Sequence, residues 1–190
     1  MNRVFQVLLI LSATGFSWLA MMAVHELGHV LHAWLSGGTV VNVVLHPATI
    51  SRTDVWPNPH PLAVAWGGAV WGCLIPLGLL AAVRWAARSY AYLAAYFAGF
   101  CLIANGAYLA AGSLVSGPGH DAADILLYGG RRWPLIAFGL SCVAAGLYLW
   151  NGLGPKFGLG SAKGNVDRRA AVGVTLALLL LVIAEWAFSR

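Results

Sequence analysis

Five stretches of this chain are too apolar to lie in water and long enough to cross a bilayer. Val4 to Val24 carries no charge, and the first stretch continues to about Leu35. Three more run Leu62 to Trp85, Tyr90 to Val115 and Pro134 to Trp150; the last and most aliphatic runs Ala170 to Phe188. A hydrocarbon core about 30 Å thick needs about 20 apolar residues per helix. Lipid offers backbone groups no hydrogen-bond partner, so such segments must be helical. The pattern predicts an all-α polytopic membrane protein with about five transmembrane helices. Residues 1–190 are expected to form one integral membrane domain, with a core over about 1–130 and additional spans over about 133–190.

Only 9% of the 190 residues are charged, against about 25% in soluble domains, which leaves no room for a large soluble domain. The net charge of +5 is spread over loop ends. It reads as charge flanking a lipid bilayer, not as a nucleic-acid surface. With the N-terminus inside, Arg3, Arg84, Arg88, Lys156, Lys163, Arg168 and Arg169 lie on the inner flank, against Arg52, Arg131, Arg132 and Arg190 outside, so N-inside is the expected orientation. The first apolar run is read as a retained span, not a cleaved leader. Cys73, Cys101 and Cys142 each lie in an apolar segment without CxxC spacing, so no disulfide framework is expected. The expected localisation is the plasma membrane of a prokaryote.

Between the first two spans the pattern changes. Gly37-Gly38 ends the first helix. Thr39 to Leu45 is β-branched and too short to span, so it predicts one arm of a short β-hairpin closed around His46 to Asp54. Pro57, Pro59 and Pro61 exclude regular structure up to the next span. Gly67-Gly68 and Gly72 suit close helix packing. Gly152 to Asn165 is a loop without recognisable chemistry.

The first span ends in His25-Glu26-Leu27-Gly28-His29, an HExxH motif. Four residues apart on a helix, His25 and His29 share a face and can hold one Zn²⁺, while Glu26 is close enough to act as the base on a water there. Ionisable groups in a span are costly and mark function. The motif should approach the far interface, where water reaches it. A catalytic zinc needs a third protein ligand and an open position. The candidates are His32, His46, His60, His120, Asp121 and Asp124. His32 shares the face of His25, but one straight helix rarely wraps three ligands around an ion. His46 and His60 lie beside prolines in a loop. Gly117-Pro118-Gly119 breaks the preceding span and lets Asp121 open a short helix at membrane depth; capping that helix would also explain an Asp there.

With HELGH in the first span and Asp121 in a later segment, the chain resembles the site-2 protease family of intramembrane zinc metalloproteases. In that family the third ligand is an Asp followed four and five residues later by Ile or Leu, as Ile125 and Leu126 follow Asp121 here. The resemblance implies Asp121 as third ligand, with His120 as its rival. Ala122 stands where the family has Gly, Gly67-Gly68 lacks the family's Pro, and Asn105 is the nearest analogue of its Asn-Pro run. The implied activity is hydrolysis of peptide bonds in transmembrane protein substrates by zinc, with Glu26 as base. Asn105 would bind the substrate backbone or oxyanion, or else join two helices. The strand at Thr39 to Leu45 would pair with an unwound substrate. No sensor domain is recognisable, so control is expected from a regulatory membrane partner or from a first cut that trims the substrate. The alternative is a non-proteolytic metal-binding or transport protein using the same His/His/Asp site.

Overall fold

The computed structural model describes residues 2–115, 117 and 119–188. Helix α1 covers Asn2–Leu35, about 50 Å at 1.5 Å per residue. It therefore overshoots the hydrocarbon core and carries HExxH toward one end. Gly37 takes a φ of 76°, and the Gly38 N–H reaches back to the Ala33 carbonyl at 2.7 Å. That bond closes a Schellman stop, which needs a left-handed residue that Gly supplies without strain.

The chain then turns back as an antiparallel ribbon of β1, Val40–Val44, and β2, Arg52–Val55. The hairpin is the expected one, with its first arm inside residues 39–45. Its register shifts between Val40 and Asn42. The second arm begins at Arg52 and runs one residue past Asp54, so the connection is shorter than the predicted His46 to Asp54 closure.

Helix α2, Pro61–Ala86, starts on a proline, because the first helical position needs no N–H donor. Pro61 therefore belongs to the helix, and the irregular stretch ends one residue earlier, at His60. Helix α3 covers Ala91–Gly112 and α4 Asp121–Leu127. Helix α5, Arg132–Trp150, and α6, Arg168–Phe188, complete the chain. Five of these helices are long and apolar enough to cross a membrane, and the protein is an all-α membrane protein with one short hairpin after α1. The three cysteines are free.

Helix α3 stops at Gly112, short of the predicted Val115. At that point α4 folds back over it: a Cβ on Gly112 would lie 3.1 Å from the Ala122 Cβ. The break at Gly117-Pro118-Gly119 follows the helix end and does not cause it; Pro118 lies outside the described residues, as does Arg190 of the charge count.

Two packing features position the site. At the α1/α2 crossing, a Cβ on Gly28 would collide with the Gly67 carbonyl oxygen, and one on Gly67 would lie 2.6 Å from the Gly28 oxygen. Only glycine lets the two backbones approach this closely. Beside the crossing, Ala65 and Ala69 of α2, Leu109 of α3, Ala122 and Ile125 of α4 and Leu135 of α5 form a buried cluster. Ile125 is fully buried. It anchors the short α4 and fixes where Asp121, one helical turn before it, can point.

Candidate metal centre

His25 and His29 sit one turn apart on α1, both buried, and their rings meet edge to face. The helix alone does not aim them. His25 Nδ1 lies 2.6 Å from Asn105 Oδ1 on α3, and the Asn105 amide nitrogen donates to the Cys101 carbonyl at 2.9 Å. A carbonyl only accepts, so the amide nitrogen faces Cys101 and the amide oxygen faces His25. The proton of His25 is then on Nδ1. His29 is fixed the same way, its Nδ1 donating to the Val64 carbonyl of α2 at 2.8 Å.

Both Nε2 lone pairs therefore turn inward. They are 3.1 Å apart. Asp121 Oδ2 lies 2.9 Å from His25 Nε2 and 3.4 Å from His29 Nε2. Three acceptors converge with no donor among them, an arrangement that calls for a positive charge at its centre. The His25, His29 and Asp121 group could hold a metal ion. Ligands bound tetrahedrally at about 2.0–2.1 Å are about 3.3 Å from one another, close to the separations here.

Gly68 keeps the centre open. A Cβ there would lie 2.5 Å from His25 Nε2 and against His29 Nε2, in the space an ion would take. Neither this role nor that of Val64 was visible in the sequence, because both depend on where α2 crosses α1.

The other candidate ligands are elsewhere. His32 Nδ1 bonds the Ala63 carbonyl. His46 Nδ1 accepts from the Ala48 N–H, and its ring packs 4.9 Å from Trp186. His60 precedes α2 as its N-cap without a side-chain bond. His120, not Asp121, caps α4: its Nδ1 accepts from the Ala123 N–H at 3.1 Å. Asp121 is thereby released from capping and faces the histidines. Asp124 lines the cavity, its carboxyl raised by burial and by the charge of Asp121.

Glu26, 3% exposed, points toward the hairpin. Ser51 Oγ donates to one carboxylate oxygen and Thr53 Oγ1 to the other, each at 2.7 Å. Ser51 lies just before β2 and Thr53 within it, and residues two apart in extended chain share a face, which was the only signal in the sequence for this pair. Tyr108, one turn beyond Asn105 on α3, lays its ring edge on His25 with centroids 5.8 Å apart, and its hydroxyl accepts the Asp121 N–H at 3.2 Å. A cavity of about 570 Å³ is lined by His25, Glu26, His29, Asp121, Tyr108 and the residues of β2.

Asn105 is 1% exposed, and both ends of its amide are occupied by His25 and Cys101. It joins α3 to α1 through the His25 imidazole. Compared with known protein families, with curated proteins and with solved structures, the chain matches none.

Proposed function

We propose that the chain is an intramembrane zinc metalloprotease of a prokaryotic plasma membrane, similar to the site-2 protease family, that hydrolyses peptide bonds of transmembrane protein substrates. The observation that carries this reading is the convergence of His25 Nε2, His29 Nε2 and Asp121 Oδ2 within 2.9–3.4 Å, beside a buried carboxylate, in a polar cavity of an otherwise apolar helical protein. Two imidazoles and one carboxylate suit zinc and leave a fourth position open.

Zinc, when bound, polarises a carbonyl and acidifies a water. The chain's own residues do the rest. Glu26 takes a proton from the attacking water and returns it to the leaving amine as the C–N bond breaks. Ser51 and Thr53 hold the Glu26 carboxylate by hydroxyl donation and keep it aimed. Asn105 and Val64 keep Nε2 of each histidine unprotonated. A helical substrate hides its peptide bonds, so it must unwind; the free edges of the ribbon offer backbone groups with which an unwound segment pairs.

The test uses purified protein reconstituted with a panel of single-span peptides, product release being read by mass spectrometry alongside zinc content. Wild type cleaves at least one peptide, while Glu26→Gln keeps its zinc and cleaves none. Zinc retained with no cleavage by wild type across the panel would leave a metal-binding or transport protein.

A further inference from the structure

At the end of the bundle remote from the metal centre, α6 rests along α1 and stands off from α2 and α3. The gap is an apolar groove of about 480 Å³, within the range of small-molecule sites. On α6 it is lined by Arg169, Ala170, Gly173, Val174 and Ala177, the spacing of one helical face. A Cβ on Gly173 would meet nothing within 4 Å, so the space is real at the middle of that face. Phe16 and Ser17 of α1 and Phe97 of α3 form the opposite wall.

Two features say what fits. The first is length. From Arg169 to Ala177 is about 12 Å along the helix, nearly the depth of one leaflet of a core about 30 Å thick. Arg169 is the second residue of α6 and lies at the interface. The second is charge. Arg169 is exposed and has no carboxylate partner among the described residues. Asp167, two residues earlier, caps the helix instead: one of its oxygens accepts the Arg169 and Ala170 backbone N–H groups at 2.8 and 3.3 Å. Tyr90, also exposed, lines the same groove. A cationic, aromatic rim above an apolar slot one leaflet deep matches a phospholipid with an anionic headgroup.

We propose that this groove is a binding site for one anionic phospholipid, an acyl chain lying between α6 and α3 and the headgroup phosphate against Arg169. The site is independent of the proposed hydrolysis and is intact whether or not the metal centre is loaded.

The experiment is native mass spectrometry of the full chain in detergent, titrated with phosphatidylglycerol and with phosphatidylcholine of the same acyl chains. One cation near a headgroup is worth about a five-fold preference. Wild type should retain one phosphatidylglycerol about five-fold more readily than phosphatidylcholine. Arg169→Gln should bind the two lipids equally. Gly173→Leu, whose Cβ enters open space and whose side chain occupies the slot, should bind neither, with zinc content and helical circular dichroism unchanged. If Gly173→Leu does not fold, Arg169→Gln decides alone. Equal binding of both lipids to wild type, a preference that survives Arg169→Gln, or adducts of detergent only would overturn the proposal.

Discussion

Replacing Asn105 by Ala should weaken zinc binding by about 10–100-fold, although Asn105 is not itself a ligand. The magnitude follows from the site. His25 Nδ1 has one partner, the Asn105 oxygen at 2.6 Å, in surroundings where Asn105 is 1% exposed. Without it, a buried N–H is left unpaired at a cost of about 1–3 kcal/mol. Otherwise the proton moves to Nε2, where it competes with the metal for the same lone pair. Loss of such an orienting bond typically costs about 10–100-fold in affinity, and the two ranges agree, since 1.4 kcal/mol is about tenfold. The assay is competition for zinc against a fluorescent chelator in detergent. Asn105→Asp keeps an acceptor opposite Nδ1 and should recover most of the lost affinity. Unchanged affinity in Asn105→Ala would refute the reasoning. Equal losses in the Ala and Asp variants would point instead to the Asn105 amide nitrogen, which donates to the Cys101 carbonyl and which Asp lacks.

Gly68→Ala should abolish zinc binding while the fold persists, because the added methyl stands against both Nε2 atoms; metal analysis with circular dichroism reads both, and a zinc-replete variant would contradict it. His25→Ala and His29→Ala should each remove stoichiometric zinc. Asp121→Ala should do so substantially, whereas His120→Ala and Asp124→Ala should leave metal content near normal; the reverse pattern would make His120 the third ligand. Ser51→Ala combined with Thr53→Val should leave zinc content unchanged and lower kcat, by about tenfold or more, since each hydroxyl bond to a charged group contributes about 1.5–3 kcal/mol; an unchanged kcat would mean that Glu26 is aimed without the hairpin.

The long helices were legible because apolar length is a local property. So were His25 and His29, whose shared face follows from helix geometry, and β1, whose β-branched run is unlike the spans beside it. The second arm was harder: Arg52-Thr53-Asp54 has no apolar alternation, and its pairing with β1 gives it order. The helix boundary at Gly112 was misplaced because the stop is tertiary, set by α4 folding back. Asn105 was visible as a polar residue in a span, but its partner was not. Gly68, Ser51 and Thr53 stand far in sequence from the residues they serve, and only the crossing of α1 with α2 and the fold of the hairpin bring them there.

The ribbon has a further consequence. Two strands bond to each other and leave two outer edges of unpaired N–H and C=O groups. Here the ribbon packs level with Glu26, toward the end of α1 that overshoots a hydrocarbon core about 30 Å thick. Acyl chains cannot satisfy its edges. The hairpin therefore belongs where water reaches it, and the segment that holds the carboxylate also keeps solvent beside it.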